Sequence, residues 1–107
     1  MIVPGFIKIA AAIPSVKVAD CRHNVTQMIS MAAEASHKGA QLVAFPELSV
    51  TGYTCGDLFG QQLLLDEALA ALQSLVEQTA HLPMVCIAGV PLSLHNRLYN
   101  TAVIFGG

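Results

Sequence analysis

Three short apolar segments, separated by two stretches with helical spacing, constrain the fold of this chain more than any other feature. The segments are FIKIAAAIP (6–14), AQLVAFP (40–46) and MVCIAGVP (84–91). The second lacks the alternation of a half-solvated strand, as expected of a strand that is covered on both sides. We therefore predict that all three segments are buried strands.

Both intervening stretches have the periodicity of amphipathic helices. The first begins after Asp20, which can cap it, and runs to about Lys38, with Gly39 as a natural terminating residue. Its apolar face holds Val25, Met28, Ile29, Ala32 and Ala35. The second is QQLLLDEALAALQSLVEQTA (61–80), whose apolar stripe is formed by Leu64, Leu65, Ala68, Leu69, Leu72, Leu75 and Val76.

A fourth strand begins at YNTAVIFGG (99–107), after a polar turn in LSLHNRL (92–98), so the last two strands are candidates for a hairpin. The order β-α-β-α-β-β predicts an α/β fold, and residues 1–107 have the length of a single domain. Helices on one face of this sheet would leave its other face bare. We therefore expect the front part of a larger domain or, as the alternative, a small domain that dimerises through that face.

The composition restricts the partners and the compartment of the protein. Hydrophobic residues make up 54% of the chain and the net charge is −2, so no basic surface favours nucleic acid or an anionic membrane. No apolar run approaches the roughly 20 residues that a membrane-spanning helix needs. The 3 cysteines are widely spaced, which favours a reducing, cytoplasmic setting. No pair of cysteines or histidines has close ligand spacing, so we predict no metal site.

Glu47 is the first candidate for chemistry because it directly follows the second apolar strand. The carboxyl ends of strands are where α/β sheets carry their sites. A carboxylate that is partly desolvated there could serve as a general base near neutral pH. From position alone, the favoured alternative is a structural carboxylate that accepts backbone N–H bonds from its loop.

The loop after Glu47 is punctuated by glycines that allow close backbone approach, namely Gly52, Gly56 and Gly60. Tyr53 and Asp57 could brace this loop. Cys55 has no cation or base nearby in the sequence, so we predict a structural role for it rather than a nucleophilic one.

Cys86 lies inside a predicted strand and is assigned to the core. The polar segment RLYN (97–100) leaves two readings open. It either brings polar groups to the strand ends near Glu47 or supplies the chemistry of a hairpin turn.

Three pieces of the sequence, taken in order, resemble the nitrilase (carbon-nitrogen hydrolase) superfamily. They are IKIAAAIPSVKVADCRHNV, with Asp20 and Asn24 in an Asp-x-x-x-Asn pattern, the block FPELSVTGYTCGDL, and the tail AGVPL…RLYNTAVIF. The pattern T-G-Y-x-x-x-D-L is similar to that of the glutaminase domain in the glutamine-dependent NAD synthetase branch. The likeness covers essentially the whole chain.

The resemblance implies the N-terminal part of an α-β-β-α sandwich and a Glu-Lys-Cys triad. Glu47 is then the general base, while the lysine and the nucleophilic cysteine of the family lie beyond residue 107, so the chain alone would be inactive. Tyr53 is expected to bind substrate. Glutamine is the implied substrate, a homo-oligomer the implied full-length state, and ATP and magnesium belong to a separate synthetase domain. The rivals are a stand-alone amidase for another small amide and a non-enzymatic α/β oligomerisation module.

Overall fold

The computed structural model describes residues 5–52, 62–95 and 97–106. Four strands and two helices alternate in the predicted order, which is confirmed: β1 (Ile9–Ala11), α1 (Cys21–His37), β2 (Leu42–Ala44), α2 (Gln62–Thr79), β3 (Val85–Leu94) and β4 (Arg97–Gly106). The strands form one sheet in the order β1-β2-β3-β4. β2 pairs in parallel with β1 and β3, and β4 returns antiparallel to β3.

α1 has the limits that its caps predict. The Asp20 side chain accepts a hydrogen bond of 3.0 Å from the backbone nitrogen of His23, which satisfies one of the donors left open at the amino terminus. At the other end Gly39 adopts a φ of +87° and its nitrogen bonds to the Ser36 oxygen at 2.9 Å. The buried residues of the predicted apolar face are Val25, Met28, Ala32 and Ala35, with Ile29 half-buried beside them.

α2 buries a narrower stripe than its sequence suggests. Its buried residues include Leu64, Ala68, Leu72 and Leu75, as predicted. Leu69 and Val76 are 55% and 36% exposed, so their assignment to the buried stripe was wrong. Each follows a buried residue directly and is therefore turned about 100° around the helix, onto its flank.

The core lies between the two helices and one face of the sheet. Val43, Cys86, Ala88 and Val90 point toward the helices and are at most 1% exposed. They pack in one cluster with helical side chains such as Met28 and Leu75, both fully buried. Within the described residues, neither helix combines the length and hydropathy that a membrane crossing requires.

β1 differs from the buried strand predicted over residues 6–14. It is only three residues long, and among residues 5–52, 62–95 and 97–106 it lies at the edge of the sheet, with β2 as its single partner. Ala10 and Ala12 pack against the core, whereas Ile9 and Ile13 are 59% and 80% exposed. The apolar run therefore does not indicate burial on both faces here.

The β3–β4 hairpin is longer than predicted. The two strands pair continuously from Val85 with Gly106 to Leu94 with Arg97, so the hairpin turns between Leu94 and Arg97. The predicted polar turn over 92–98 was therefore too wide, because Leu92, Leu94 and Leu98 belong to the strands.

One face of the sheet, called here the uncovered face, is apolar and open in the described chain. Along each strand, the residues that point to the uncovered face alternate with those that point to the core. Its side chains are exposed or half-buried, and they are those of Ile9, Ala11, Leu42, Ala44, Val85, Ile87, Ala102 and Ile104. The predicted bare face is thus confirmed for the described residues.

Candidate active site

The chain leaves the sheet after β2 in a tight turn that presents Glu47. Phe45 still bonds to β3, through its nitrogen and the Ile87 oxygen at 2.9 Å. Successive turns then follow, with the Ser49 nitrogen bonded to the Pro46 oxygen at 3.2 Å and the Gly52 nitrogen to the Leu48 oxygen at 2.7 Å. Phe45, Leu48 and Val50 are buried, while Glu47 is exposed, so the apolar side chains on both sides anchor the turn.

Two backbone features hold the turn against β3. Leu48 has a φ of +51°, a left-handed conformation that costs a branched residue energy and persists only where its surroundings enforce it. The enforcing contacts come from Gly89, whose oxygen accepts from the Val50 nitrogen at 3.1 Å and whose nitrogen donates to the Ser49 hydroxyl at 3.3 Å. Strand β3 therefore holds the chain directly after Leu48, and its Ile87 holds it at Phe45, before the turn begins.

The Glu47 carboxylate extends across β3 to a side chain of β4. Asn100 Nδ2 donates to Glu47 Oε1 over 2.5 Å. Asn100 is paired with Pro91 in the ladder, and its neighbours Thr101, Val103 and Phe105 alternate toward the core. Asn100 and the carboxylate that it binds therefore lie on the uncovered face of the sheet.

A small cleft of about 240 Å³ opens beside the carboxylate. Its wall is mainly apolar, and Glu47 is the one titratable residue among those that line it: Ile13, Pro14, Val16, Val18, Pro46, Glu47, Leu48, Ser49 and Gly52. The Glu47 side chain is nonetheless exposed, so the partial desolvation predicted from the sequence does not hold for the described residues, which place no cover over it.

Asn24 ties the two walls of the cleft together. It is fully buried, and its amide makes three hydrogen bonds: from the Lys17 nitrogen at 2.7 Å, to the Lys17 oxygen at 2.8 Å and to the Val50 oxygen at 2.9 Å. The Asp-x-x-x-Asn pattern marked this residue without revealing its role. The structure shows that it joins the loop before α1 to the turn after Glu47.

Several residues singled out in the sequence do not join the site or cannot be placed. Tyr53, Cys55, Gly56, Asp57, Gly60 and Asn96 lie outside the described residues. Cys86 is in the core, as predicted, and burial raises the pKa of its thiol. Within the described ranges no cluster of acidic, histidine and cysteine side chains could hold a metal ion.

A larger open groove of about 910 Å³ runs between α1 and α2. Its charged side chains, Asp20, Arg22 and Glu67, include both signs and stand among small apolar and polar residues. Neither Glu47 nor Asn100 lines it, so this groove is separate from the cleft beside Glu47.

A mixed sheet with helices on one face and a glutamate at the carboxyl end of its second strand defines an α/β protein of the nitrilase-like type. The chain belongs to the carbon-nitrogen hydrolase family, whose model matches residues 8–107. This confirms the resemblance stated from the sequence.

Known proteins of the family give a more detailed likeness. The chain is 38% identical over 100 residues to the glutamine-dependent NAD(+) synthetase of Mycobacterium tuberculosis H37Rv, covering 94% of this chain and 15% of that protein. It is 30% identical over 86 residues to the human glutamine-dependent NAD(+) synthetase, covering 80% of this chain and 12% of that protein. The chain thus spans a small part of these relatives.

Solved structures share the fold. A glutamine-dependent NAD(+) synthetase from Cytophaga hutchinsonii superposes with a TM-score of 0.86 at 23% identity, over 94% of this chain and 17% of that one. An amidase from Nesterenkonia sp. superposes with a TM-score of 0.74 at 24% identity, over 96% and 39%. These likenesses confirm the predicted nitrilase-like arrangement of strands and helices.

Proposed function

We propose that this chain is the N-terminal part of the glutamine amidohydrolase domain of a glutamine-dependent NAD synthetase, which supplies ammonia for ATP-dependent amidation of deamido-NAD. The observation that carries the proposal is the placement of Glu47, at the carboxyl end of β2 and beside a small cleft, in a chain 38% identical to such a synthetase. The protein would work in the cytoplasm, as a homo-oligomer.

Glu47 acts as the general base of amide hydrolysis. Its Oε1 accepts the Asn100 hydrogen bond, and we assign Oε2 to proton transfer. The carboxylate takes the proton of a cysteine thiol as the sulfur attacks the amide carbon, and gives it to the departing ammonia. It then activates the water that hydrolyses the thioester, which releases glutamate and restores the thiol.

The cysteine and the lysine of this chemistry come from polypeptide beyond residue 107. They would approach Glu47 from the uncovered face, because the carboxylate lies on that face. The same polypeptide would bury the apolar side chains there, which suits the small share of the relatives that this chain spans. Tyr53, which lies outside the described residues, is proposed as a substrate-binding residue.

ATP and magnesium do not fit the described residues. These bring together no carboxylate cluster of the kind that holds a hard cation, and the sequence has neither a P-loop nor a dinucleotide-binding glycine pattern. We assign both to the separate synthetase domain and no step of the amide chemistry to them.

The test is Glu47→Gln in the full-length protein. We expect glutamine hydrolysis to fall by about 10²–10⁴-fold, the usual contribution of a positioned general base, while NAD formation from added ammonia survives. Glu34→Gln is the matched control, since Glu34 is an exposed carboxylate on α1 that pairs only with Lys38 among the contacts described.

Equal loss of the glutamine-driven and ammonia-driven reactions would make Glu47 a structural residue. If the wild-type protein releases ammonia from another small amide and not from glutamine, the chain belongs to an amidase of different specificity.

A further inference from the structure

Asn100 carries a role that hairpin chemistry does not explain. The β3–β4 hairpin turns between Leu94 and Arg97, and Asn100 lies in the fourth position of β4. Its side chain does not bond to the local backbone but reaches Glu47, 53 residues away in the sequence. Of the two readings of RLYN, the structure therefore favours proximity to the strand ends.

The contact has the character of a charge-assisted hydrogen bond. Asn100 Nδ2 donates an amide N–H to the Glu47 carboxylate, and a hydrogen bond to an ionised acceptor is stronger than one between two neutral groups. Because the amide is neutral, it fixes the orientation of the carboxylate without placing a counter-charge beside it.

Donor and acceptor are both fixed to β3. On the acceptor side, Gly89 bonds to the turn that carries Glu47, through Ser49 and Val50. On the donor side, the ladder pairs Asn100 with Pro91, and the Thr101 hydroxyl donates to the Val90 oxygen at 2.6 Å. The turn that carries Glu47 and the strand that carries Asn100 are therefore both bonded to β3, which limits the motion of the two side chains relative to each other.

We propose that Asn100 is a positioning residue for Glu47: its amide holds Oε1 so that Oε2 faces the reacting groups. This inference rests on the proposed function, since it assigns Asn100 a part in the same amide hydrolysis. The proton itself does not pass through Asn100.

The test compares Asn100→Ala and Asn100→Asp in the full-length protein, with kcat and KM for glutamine measured separately. Asn100→Ala removes the donor, and we expect kcat to fall by on the order of 10- to 100-fold, as misplacement of a catalytic group does, with KM little changed. Asn100→Asp keeps the shape but sets two carboxylates against each other, so its kcat should be lower still. Asn100→Gln, which retains the donor on a longer stem, should recover part of the loss.

Ammonia-driven NAD formation and the unfolding midpoint report whether the variants remain folded. Tyr99→Phe, next to Asn100 but on the opposite face of β4, is the control and should leave kcat unchanged. In a Glu47→Gln background, Asn100→Ala should cause no further loss, because the group that it positions is already inactive.

The outcomes separate this inference from the proposed function. An active Asn100→Asp variant beside an inactive Glu47→Gln variant would overturn the role of Asn100 alone. A fully active Glu47→Gln variant would overturn both. Additive losses in the double variant would also overturn the positioning role.

Discussion

Gly89 and Leu48 approach so closely that a Cβ placed on Gly89 would lie 2.2 Å from the Leu48 backbone nitrogen. It would also meet the Pro46 oxygen at 2.8 Å. Both atoms belong to the backbone of the turn that presents Glu47, so neither can rotate away as the end of a flexible side chain could. The position of the Glu47 carboxylate therefore depends on residue 89 being a glycine, which has no Cβ to displace the turn.

We expect Gly89→Ala to impair both stability and glutamine hydrolysis. Overpacking costs about 1–3 kcal/mol, and here relief requires the Glu47 turn to move away from β3. The unfolding midpoint and kcat for glutamine should fall together. Gly39→Ala is the control: it has open space but a φ of +87°, so it should cost about 1–2 kcal/mol of stability and leave kcat unaltered. A Gly89→Ala protein with wild-type values of both quantities would contradict the account.

A second prediction concerns the buried amide of Asn24. Asn24→Leu leaves the Lys17 nitrogen and the Lys17 and Val50 oxygens without their partner, and each unsatisfied buried group costs about 1–3 kcal/mol. We expect a lowered unfolding midpoint together with faster proteolysis of the segment before α1. Ser30→Ala, at an exposed position of the same helix, should stay within about 0.5 kcal/mol of wild type. Equal stability of the two variants would count against the bridging role.

The Cys86 thiol supplies a prediction about pH. It is 1% exposed, and desolvation raises its pKa, so the folded state binds this proton more tightly than the unfolded state does. Its contribution to stability is complete below the unfolded value of about 8.5 and is lost as the pH rises through the higher folded value.

The measurement is alkylation at pH 8, followed on the peptide that contains Cys86. We expect it to remain unmodified in the folded protein and to react once urea unfolds the chain. Cys86→Ala, which lacks the ionising group, should lose less stability than wild type between pH 7 and pH 10. Rapid alkylation under native conditions would show that the thiol is not held in the core.

The helices and the order of elements along the chain could be predicted because their determinants are local. Asp20, the apolar face from Val25 to Ala35 and Gly39 specify where α1 begins, what it buries and where it ends. Glu47 could be singled out as a candidate for a similar reason, since an apolar strand followed by proline and glutamate is visible in the sequence itself.

The burial of individual side chains and the contacts between distant segments could not be predicted from the sequence in the same way. Ile9 and Ile13 have the composition of buried residues, but β1 is an edge strand, and edge position depends on which strands pair. The Asn100 contact with Glu47 joins residues from β4 and the turn after β2, and no local pattern encodes it. Gly89 was likewise overlooked, because its requirement arises from another segment packed against it.

Strands that pair in chain order have a consequence for synthesis. As the polypeptide emerges from the ribosome, β1, β2 and β3 can join the sheet one after another, each beside the strand made just before it. Asn100 is translated 53 residues after Glu47, so the carboxylate lacks this hydrogen-bond donor until β4 has been synthesised. A nascent chain would therefore carry Glu47 without this hydrogen-bond partner for about half of the time that residues 1–107 take to be made.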